Sequence, residues 1–291
     1  MRVELILVTG ATGQQGGAVA RQLLKETRFA VRTFTRDASK PASRALAAAG
    51  AEVVEGDLND LHSVRRALEG VWGAYSVQDF ASAGYEEEIR QGTTFADAAK
   101  AAGVQHFVYS SVVSADGQTG LPHFESKWHI EQHLRQIGLA CTILRPAFFM
   151  QNWNRFLRGP ILQGMLPLPL NPGTHLQQIA VEDIGAFALK AFADPTSWAG
   201  RTVELASEEL SMRQVAATLS RVLARNVRYV QIPWEQFRQS AGEEMERMYR
   251  WFEEAGYHVN IQALRRGHVF LDLEQVLRRQ EWHAPELRRV A

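Results

Sequence analysis

The sequence predicts an α/β fold in which a doubly wound parallel sheet is followed by a smaller C-terminal α/β domain. Two observations lead to this prediction. Short apolar segments alternate with segments of helical periodicity through the first half of the chain, and this alternation is typical of parallel strands joined by crossover helices. The first apolar segment also leads directly into a glycine-rich stretch at residues 9–17, which has the strand, turn and helix start of a mononucleotide-binding unit.

The glycine-rich stretch is expected to bind the pyrophosphate of a dinucleotide, with an ordinary glycine turn as the alternative. Gly10 permits a tight turn, Gly13 permits backbone N–H groups to approach the phosphates, and Gly16 permits close packing of the helix on the strand. The free N–H groups at the helix start and its positive dipole end favour an anion there. The phosphate-binding residues expected from the sequence are Gly10, Thr12, Gly13, Gln14, Gln15 and Gly16.

The remaining elements of the large sheet follow in turn along the first 150 residues. Helical spacing of apolar residues predicts helices at 14–25, 61–68, 85–102 and from the segment that begins at 123. Short apolar runs predict strands at 29–35, 51–55, 71–77, 106–111 and 140–144. Because ligands of such folds lie beyond the carboxyl ends of the strands, the residues that follow each strand form the candidate site.

The residue after the second strand predicts which dinucleotide binds. An acidic side chain about 20 residues after the glycines would bind the adenine ribose hydroxyls of NAD, but this chain has Arg36 there. Arg36 can hold the 2′-phosphate of NADP through charge-assisted bonds, and Lys40 can add a second positive charge. Asp37 keeps NAD open as the alternative, although it follows the arginine and can instead cap the next helix or face water. The sequence therefore predicts NADP(H).

Further cofactor contacts are expected where the third, fourth and fifth strands end. Asp57 and Leu58 follow the third strand, and Asp57 can meet the adenine amino group or act simply as a turn or capping residue. Gln78 follows the fourth strand, and Ser110 and Ser111 end the fifth.

Composition argues against other classes of partner. The formal net charge is +0, and because nucleic-acid binding needs a positive surface, no direct contact with nucleic acid is expected. No apolar run approaches the roughly 20 residues that span a bilayer. The N-terminus enters the first strand without a signal peptide, so a cytoplasmic protein with no membrane contact is expected.

The residue types that bind metals are too few or too scattered for a metal site. Cys141 is the single cysteine, so neither an intrachain disulfide nor a cysteine metal cluster can form. His258, His268 and His283 do not have metal-ligand spacing. We therefore expect no bound metal.

Several short segments resemble those of a known family. The segment His123-Phe124-Glu125-Ser126-Lys127 opens a helix with His123 and Lys127 on one face. This segment resembles the NmrA-like family of atypical short-chain dehydrogenases/reductases, and particularly its HSCARG branch. The other matching segments are Thr9-Gly10-Ala11-Thr12-Gly13, Thr35-Arg36, Arg90-Gln91-Gly92, Arg145-Pro146 through Asn152, and the more general pattern at Val181-Glu182-Asp183.

The resemblance implies a fold, a cofactor and a kind of activity. The family has a Rossmann-like NADP(H) domain with a smaller C-terminal domain that closes over it, and it often has a regulatory role in which cofactor occupancy is sensed. Some relatives reduce quinones or dyes with NADPH. The resemblance is also compatible with a homodimer.

The chain departs from catalytic short-chain dehydrogenases at one position. Those enzymes carry Tyr-x-x-x-Lys with a serine upstream, and Ser110 and Lys127 match this pattern while His123 occupies the Tyr position. Imidazole titrates near neutrality and can replace the phenol in acid/base chemistry, yet Lys127 disfavours its cationic form. The alternative is that His123 starts the helix or lines the cofactor site. Lys127 is expected to hydrogen-bond the nicotinamide ribose even without the tyrosine.

The family resemblance also assigns the residues that follow the sixth strand. There the segment after the proline lies along the nicotinamide, although its aromatic side chains can instead form only a domain junction. The residues carried over by the resemblance are Pro146, Phe148, Phe149 and Asn152.

The second half of the chain is expected to form the smaller domain. Residues 155–178 become rich in Pro, Gly and Leu, and within them residues 155–173 have no strong secondary-structure signal. This change predicts an NADP(H)-binding domain at 1–153 and a mainly separate domain at 154–291, with a helix from residue 181 packing back on the first. The later elements predicted are a strand at 201–205, a helix capped by Ser211, a strand at 227–232 and helices at 233–237 and 243–255.

Two functions are consistent with these features. The missing tyrosine favours a redox-sensing regulator that reads NADPH/NADP occupancy and passes the difference to a protein partner. The alternative is an NADPH-dependent reductase whose acceptor, a quinone for example, needs little proton assistance.

Overall fold

The computed structural model describes residues 3–282, and these form two compact units. The first unit comprises the chain up to Pro146 together with Val181–Leu205. The second comprises Ala147–Ala180 and the described chain from Ala206 onward. His283, one of the histidines considered above, lies outside the described residues.

Twelve strands are present in the described chain. They are β1 (Glu4–Val8), β2 (Phe29–Thr35), β3 (Glu52–Glu55), β4 (Gly73–Ser76), β5 (His106–Ser110), β6 (Cys141–Pro146), β7 (Phe148–Phe149), β8 (Met165–Leu168), β9 (His175–Ile179), β10 (Thr202–Leu205), β11 (Glu208–Ser211) and β12 (Arg228–Gln231).

Fourteen helices connect these strands in the described part. They are α1 (Gln14–Leu23), α2 (Pro41–Ala48), α3 (Leu61–Ala67), α4 (Phe80–Ala83), α5 (Tyr85–Ala101), α6 (Pro122–Ile137), α7 (Asn152–Leu162), α8 (Val181–Ala193), α9 (Pro195–Trp198), α10 (Met212–Leu223), α11 (Trp234–Ala241), α12 (Glu243–Glu254), α13 (Ile261–Arg265) and α14 (Leu273–Arg278). Among them, none combines the length and the apolar character that spanning a bilayer requires.

The large sheet of the first unit has seven strands, all parallel, in the order β3-β2-β1-β4-β5-β6-β10. The doubly wound parallel sheet that the sequence predicts is therefore confirmed. Ile6 of β1 lies between Val31 of β2 and Gly73 of β4. Because the winding direction reverses at this pair of neighbours, the carboxyl ends of β1 and β4 form the topological switch point, where such folds bind ligands.

Both faces of the large sheet are covered by helices. On one face, buried side chains from the strands and from α3, α5 and α6 form a continuous core that includes Leu7, Val64, Phe95, Phe107 and Ile130. On the other face α8 packs closely on α1, since a Cβ at Gly185 would lie 2.9 Å from the Ala18 carbonyl oxygen. This α8 is the helix that the sequence predicts from residue 181.

The late strand β10 differs from the expectation in its location. The sequence predicts a strand at 201–205 as part of the smaller domain, whereas β10 pairs in parallel with β6 and extends the large sheet. The register joins Thr202 to Ile143 and Leu205 to Pro146. A strand signal is local, but the choice of the sheet it joins depends on distant residues.

The second unit is also mixed α/β, as expected for the smaller C-terminal domain. Strand β9 pairs with β7 in parallel and with β11 in antiparallel fashion, and β8 pairs in parallel with β12. Helix α10 begins after Ser211, whose hydroxyl accepts from the Gln214 N–H while the Gln214 side chain accepts from the Ser211 N–H. This reciprocal pair is a capping box, so the predicted cap at Ser211 is confirmed.

Residues 155–173, which have no strong secondary-structure signal in the sequence, contain a helix and a strand in the structure. Most of α7 and all of β8 lie within this range. Trp153 and Ile161 anchor α7 in the core although Pro160 lies inside the helix, and β8 is completed by a strand about sixty residues away in the chain. Proline suppresses the local helix signal, and a strand of four residues depends on its partner rather than on its own sequence.

Candidate functional site

The loop between β1 and α1 requires glycine at two positions. Gly10 has a φ of +59°, in the left-handed region, and a Cβ there would lie 2.7 Å from Val77 Cγ1. A Cβ at Gly16 would lie 2.5 Å from backbone atoms of Thr9 and Gly10, and backbone cannot move aside as a flexible side chain can. These are the positions to which the sequence analysis assigns the tight turn and the close packing of the helix.

The N-terminus of α1 presents backbone N–H groups to this loop. Gly13 is the N-cap and supplies no side-chain hydrogen bond, and the first turn of the helix contains no acidic residue. The positive end of the helix dipole is therefore neither capped nor neutralised by its own first turn, which suits a phosphate. Thr12 and Gly13 are exposed here, and Gln14 is half-buried.

Ser110 is connected to α1 by a hydrogen bond. The Ser110 hydroxyl donates to Gln15 Oε1 at 2.5 Å, and the hydroxyl of the buried Tyr75 donates to the same oxygen at 3.4 Å. Of the residues proposed from the sequence, the structure thus brings together Gln15 and Ser110. The Gln15 side chain links the helix start to the ends of β4 and β5.

Two buried oxygen atoms at the carboxyl ends of β4 and β5 have no hydrogen-bond partner in the described part of the chain. Gln78 donates through Nε2 to Ser76 Oγ at 2.9 Å, but its Oε1 is buried and unpaired. The Ser111 Oγ is likewise buried without a partner. Since buried polar atoms are normally hydrogen-bonded, these two oxygens fit an edge that is completed by a polar ligand.

The cationic residues expected to bind the 2′-phosphate lie after β2. Arg36 is exposed, and no other described residue forms a hydrogen bond or ion pair with it. Lys40 is exposed and is itself the N-cap of α2, so Asp37 does not cap this helix. Asp37 Oδ1 instead accepts from the Ser39 hydroxyl and N–H, at 2.6 and 2.8 Å, and these bonds lower the pKa of the Asp37 carboxyl. Its oxygen is therefore directed to Ser39.

The turn after β3 is held by the segment Arg90-Gln91-Gly92. Asp57 Oδ1 accepts from the Asn59 N–H at 2.9 Å, so Asp57 is a turn residue, one of the two roles considered for it. Asn59 Oδ1 in turn accepts from Arg90 Nη2 and Gln91 Nε2. The neighbouring Leu58 is partly buried and packs against the core of the sheet. The segment Arg90-Gln91-Gly92 therefore contributes indirectly, because it fixes the turn that contains Asp57.

Lys127 forms an ion pair that is not predictable from the sequence. Its Nζ lies 2.6 Å from Oε1 of Glu88, a fully buried carboxylate in the first turn of α5, and the Ser126 hydroxyl donates to Glu88 Oε2. Nothing in the sequence distinguishes Glu88, because Glu86 and Glu87 precede it and acidic residues are common at helix starts.

His123 is neutral at physiological pH. It is the second residue of α6, and its ring packs against Phe80 with the centroids 5.6 Å apart. Burial, and secondarily the charge of Lys127, lowers the pKa of His123 to about 4. The effect of Lys127 has the expected direction, but burial is the larger cause. At pH 7 the imidazole can donate or accept a hydrogen bond but is not a ready source of a proton.

A sequence model of the NmrA-like family matches residues 2–279, nearly the whole chain. The chain belongs to the NmrA-like family. The resemblance found in the sequence is thereby confirmed at the level of the family.

Two relatives have names that refer to a reductase or oxidoreductase. The NmrA-like family domain-containing oxidoreductase FrzB of a Cladobotryum species is 31% identical over 262 residues, covering 80% of this chain and 78% of FrzB. The NAD(P)H azoreductase of Xenophilus azovorans is 33% identical over 238 residues, covering 81% of this chain and 80% of the azoreductase.

Solved structures include NmrA, a negative transcriptional regulator. In the structure of its complex with NADP, NmrA is 25% identical in sequence to this chain. The two structures superpose with a TM-score of 0.79 over 96% of this chain and 95% of NmrA. A complex of NmrA with NAD gives a TM-score of 0.80 at the same identity. NADP(H), the cofactor predicted from the sequence, is thus bound by a structural neighbour, which binds NAD as well.

The remaining expected cofactor residues of the NmrA-like chain are divided between the two units. Pro146 ends β6 in the first unit, where its carbonyl accepts from the Val113 N–H at 3.1 Å. Phe148 and Phe149 form β7 of the second unit, and Asn152 begins α7. Within that unit Phe148 packs on Trp153, whose indole N–H donates to the buried Gln178. No group of three or more potential metal ligands is found among the described residues.

Proposed function

We propose that the chain binds NADP(H) along the carboxyl edge of the large sheet and uses it to reduce an acceptor that needs no proton from the protein. Three features support cofactor binding there: the glycine loop, the uncapped start of α1 and the unpaired oxygens of Gln78 and Ser111. Two curated relatives named as oxidoreductases support a hydride-transfer activity.

The residues after β2 favour NADP(H) over NAD. Arg36 has no partner among residues 3–282 and can bind the 2′-phosphate, whereas Asp37 is directed to Ser39. NAD needs an acidic side chain at this point for the ribose hydroxyls. An unpaired guanidinium beside a carboxylate that is already hydrogen-bonded favours the phosphorylated cofactor.

The class of acceptor follows from a single observation, the neutral His123 at the position of the usual tyrosine. Bound NADPH would supply a hydride, which carries two electrons and one proton, and the acceptor's remaining proton would come from water. Reduction of an aldehyde produces a strongly basic alkoxide and therefore needs an acid in the site. A quinone, and similarly a hydroxyazo dye in its quinone-hydrazone tautomer, takes up the hydride to give a phenolate, which is weakly basic and which water can protonate. His123 with a pKa of about 4 suits the second group.

NADPH oxidation with matched acceptors tests this proposal. The purified chain is mixed with NADPH and a quinone, a hydroxyazo dye or an aldehyde, and loss of NADPH is followed. We expect turnover with the quinone and the azo dye but not with the aldehyde. In His123→Gln the quinone rate should change by less than about threefold, since loss of a general acid would cost about 10²–10⁴-fold. A loss of that larger size would make His123 the proton donor.

A redox-sensing regulator is the second candidate, because the chain is similar over 96% of its length to the transcriptional regulator NmrA. A sensor must bind NADPH and NADP⁺ with different effects on its conformational equilibrium. Hydrogen exchange measured with each form tests this, particularly at residues 155–173, which contain most of α7 and all of β8. Unequal protection without NADPH turnover would favour the sensor. Identical protection with rapid quinone reduction would favour the reductase.

A further inference from the structure

Glu88, in the first turn of α5, is a buried carboxylate whose two oxygen atoms both accept hydrogen bonds. Its side chain is fully buried, Oε1 accepts from Lys127 Nζ at 2.6 Å, and Oε2 accepts from the hydroxyl of the fully buried Ser126. The two donors are neighbours in α6, while Glu88 belongs to α5. The carboxylate therefore fixes the position of the Lys127 ammonium from a second helix.

The ion pair lies on the side of the sheet where the cofactor is proposed to bind. His123 and Lys127 are four residues apart and share one face of α6. His123 packs on Phe80, which follows the end of β4 and the half-satisfied Gln78. The face of α6 that contains Lys127 thus meets the segment after β4, at the switch point of the sheet.

A role in stability alone does not explain this arrangement. Burying a carboxylate is costly, and its attraction to a lysine commonly does no more than offset that cost. The Lys127 side chain is 14% exposed while that of Glu88 is not exposed at all, so the lysine is the member of the pair that a ligand can reach. In such a pair the lysine can hydrogen-bond to a ligand while the buried carboxylate offsets the positive charge of the lysine.

We propose that Glu88 is a positioning residue that holds Lys127 for the nicotinamide ribose and cancels the charge of Lys127 beside the nicotinamide. This inference rests on the proposed binding of NADP(H). The nicotinamide ring is positive in NADP⁺ and neutral in NADPH, so an unbalanced ammonium would disfavour the oxidised form. With Glu88 in place the pair is neutral, and the two redox forms can bind with similar affinity. Glu88 thereby removes the preference for NADPH over NADP⁺ that the charge of Lys127 alone would produce.

Titration of three ligands tests the proposal on the full chain. Wild type, Glu88→Gln, Glu88→Asp, Lys127→Met and the double variant Glu88→Gln/Lys127→Met are each titrated with NADPH, NADP⁺ and 2′,5′-ADP. In Glu88→Gln the affinity ratio of NADPH to NADP⁺ should rise by about fivefold or more, as expected for an uncompensated charge at close range. Glu88→Asp, which keeps the charge, should leave the ratio within about twofold of wild type.

The controls separate charge balance from structural damage. The fragment 2′,5′-ADP lacks the nicotinamide half, so its affinity should be equal in all variants, and a parallel loss for this fragment would make Glu88 merely structural. In the double variant the ratio should match that of Lys127→Met. A shift that persists without Lys127, or an unchanged ratio in Glu88→Gln, would overturn the proposal. Failure of wild type to bind NADPH would instead reject the proposed function.

Discussion

Two histidines illustrate at the residue scale how burial changes chemistry. His106 is fully buried in β5, with Nε2 3.1 Å from Thr142 Oγ1 and its ring edge-on to Phe192. Burial lowers its pKa to about 4, and the same cause lowers that of His123 to about 4. Neither shift is visible in the sequence, because it depends on what surrounds the ring. Both imidazoles are consequently neutral in the folded protein at pH 7.

The shift at His106 predicts a loss of stability in mild acid. The unfolded chain takes up a proton near the ordinary pKa of 6.5, while the folded chain does so only near pH 4. Stability is therefore complete above the unfolded pKa and decreases as the pH falls towards 4. We expect His106 to account for about 2 kcal/mol of lost unfolding free energy between pH 7.5 and 4.5. Urea unfolding across this range measures it.

The variant His106→Asn is the control for this pH dependence. It does not titrate, so its unfolding free energy should fall less steeply with acid than that of wild type, whatever its stability at neutral pH. Equal slopes for the two proteins would show that His106 does not carry the effect.

Arg36 predicts the selectivity of cofactor binding. If its guanidinium binds the 2′-phosphate, Arg36→Ala should cost about 1.5–3 kcal/mol in NADPH binding, roughly 10- to 150-fold, and leave NADH nearly unchanged. Calorimetric titration of wild type and variant with both cofactors measures this. Arg21, which lies in α1, offers a matched Arg→Ala control with no expected loss of selectivity. Equal losses for NADPH and NADH would contradict the assignment.

At the element scale, Gly92 determines how closely α5 and α6 pack. A Cβ at this position would overlap Ile130 Cδ1 and lie 2.8 Å from Ile130 Cγ1. This explains structurally why glycine stands in the segment Arg90-Gln91-Gly92. The same two helices carry Glu88 and Lys127, so their separation also sets the length of that ion pair.

Gly92→Ala is expected to destabilise the chain by about 1–3 kcal/mol through overpacking. In an Ile130→Val background, which removes Cδ1, the same change should cost less, and the double-mutant cycle should show a favourable coupling. Gly173→Ala provides the control, because Gly173 is exposed, its φ is not in the left-handed region and a Cβ there meets nothing within 4 Å. That variant should change the free energy of unfolding by less than about 0.5 kcal/mol. Thermal unfolding compares them, and equal effects at both glycines would contradict the packing argument.

At the scale of the whole molecule, thermal unfolding can show which of the two units binds the cofactor. The first unit contains the glycine loop, Arg36, Gln78 and Lys127, whereas the second contains Phe148, Phe149 and Asn152. A ligand stabilises whichever folded part binds it, and a concentration of 100 times Kd contributes about 2.7 kcal/mol.

NADPH at that concentration should raise the Tm of the chain by roughly 5–10 °C. Differential scanning calorimetry measures this, with 2′,5′-ADP as the ligand that reaches only the adenine side. If the two units melt in separate steps, both ligands should shift the step of the first unit. A shift with neither ligand would contradict the proposed cofactor.

The sequence by itself determined the large sheet and the edge of that sheet at which we propose the site. Residues 29–35 form β2 at the predicted bounds, and most other predicted strands and helices of the first unit agree within one or two residues. The glycines at 10 and 16 also have the conformation and the close contacts expected of them. These features were predictable because periodicity, helix capping and the steric demands of glycine are properties of a short stretch of chain.

The tertiary structure alone decided the partners of the site residues. It joined Ser110 to Gln15, Lys127 to Glu88 and β8 to β12, and it placed β10 in the large sheet. Each of these pairs connects residues that are far apart in the chain, and no local pattern specifies which distant group will meet them. The shifted pKa of His123 has the same origin, because desolvation depends on every element packed around the ring.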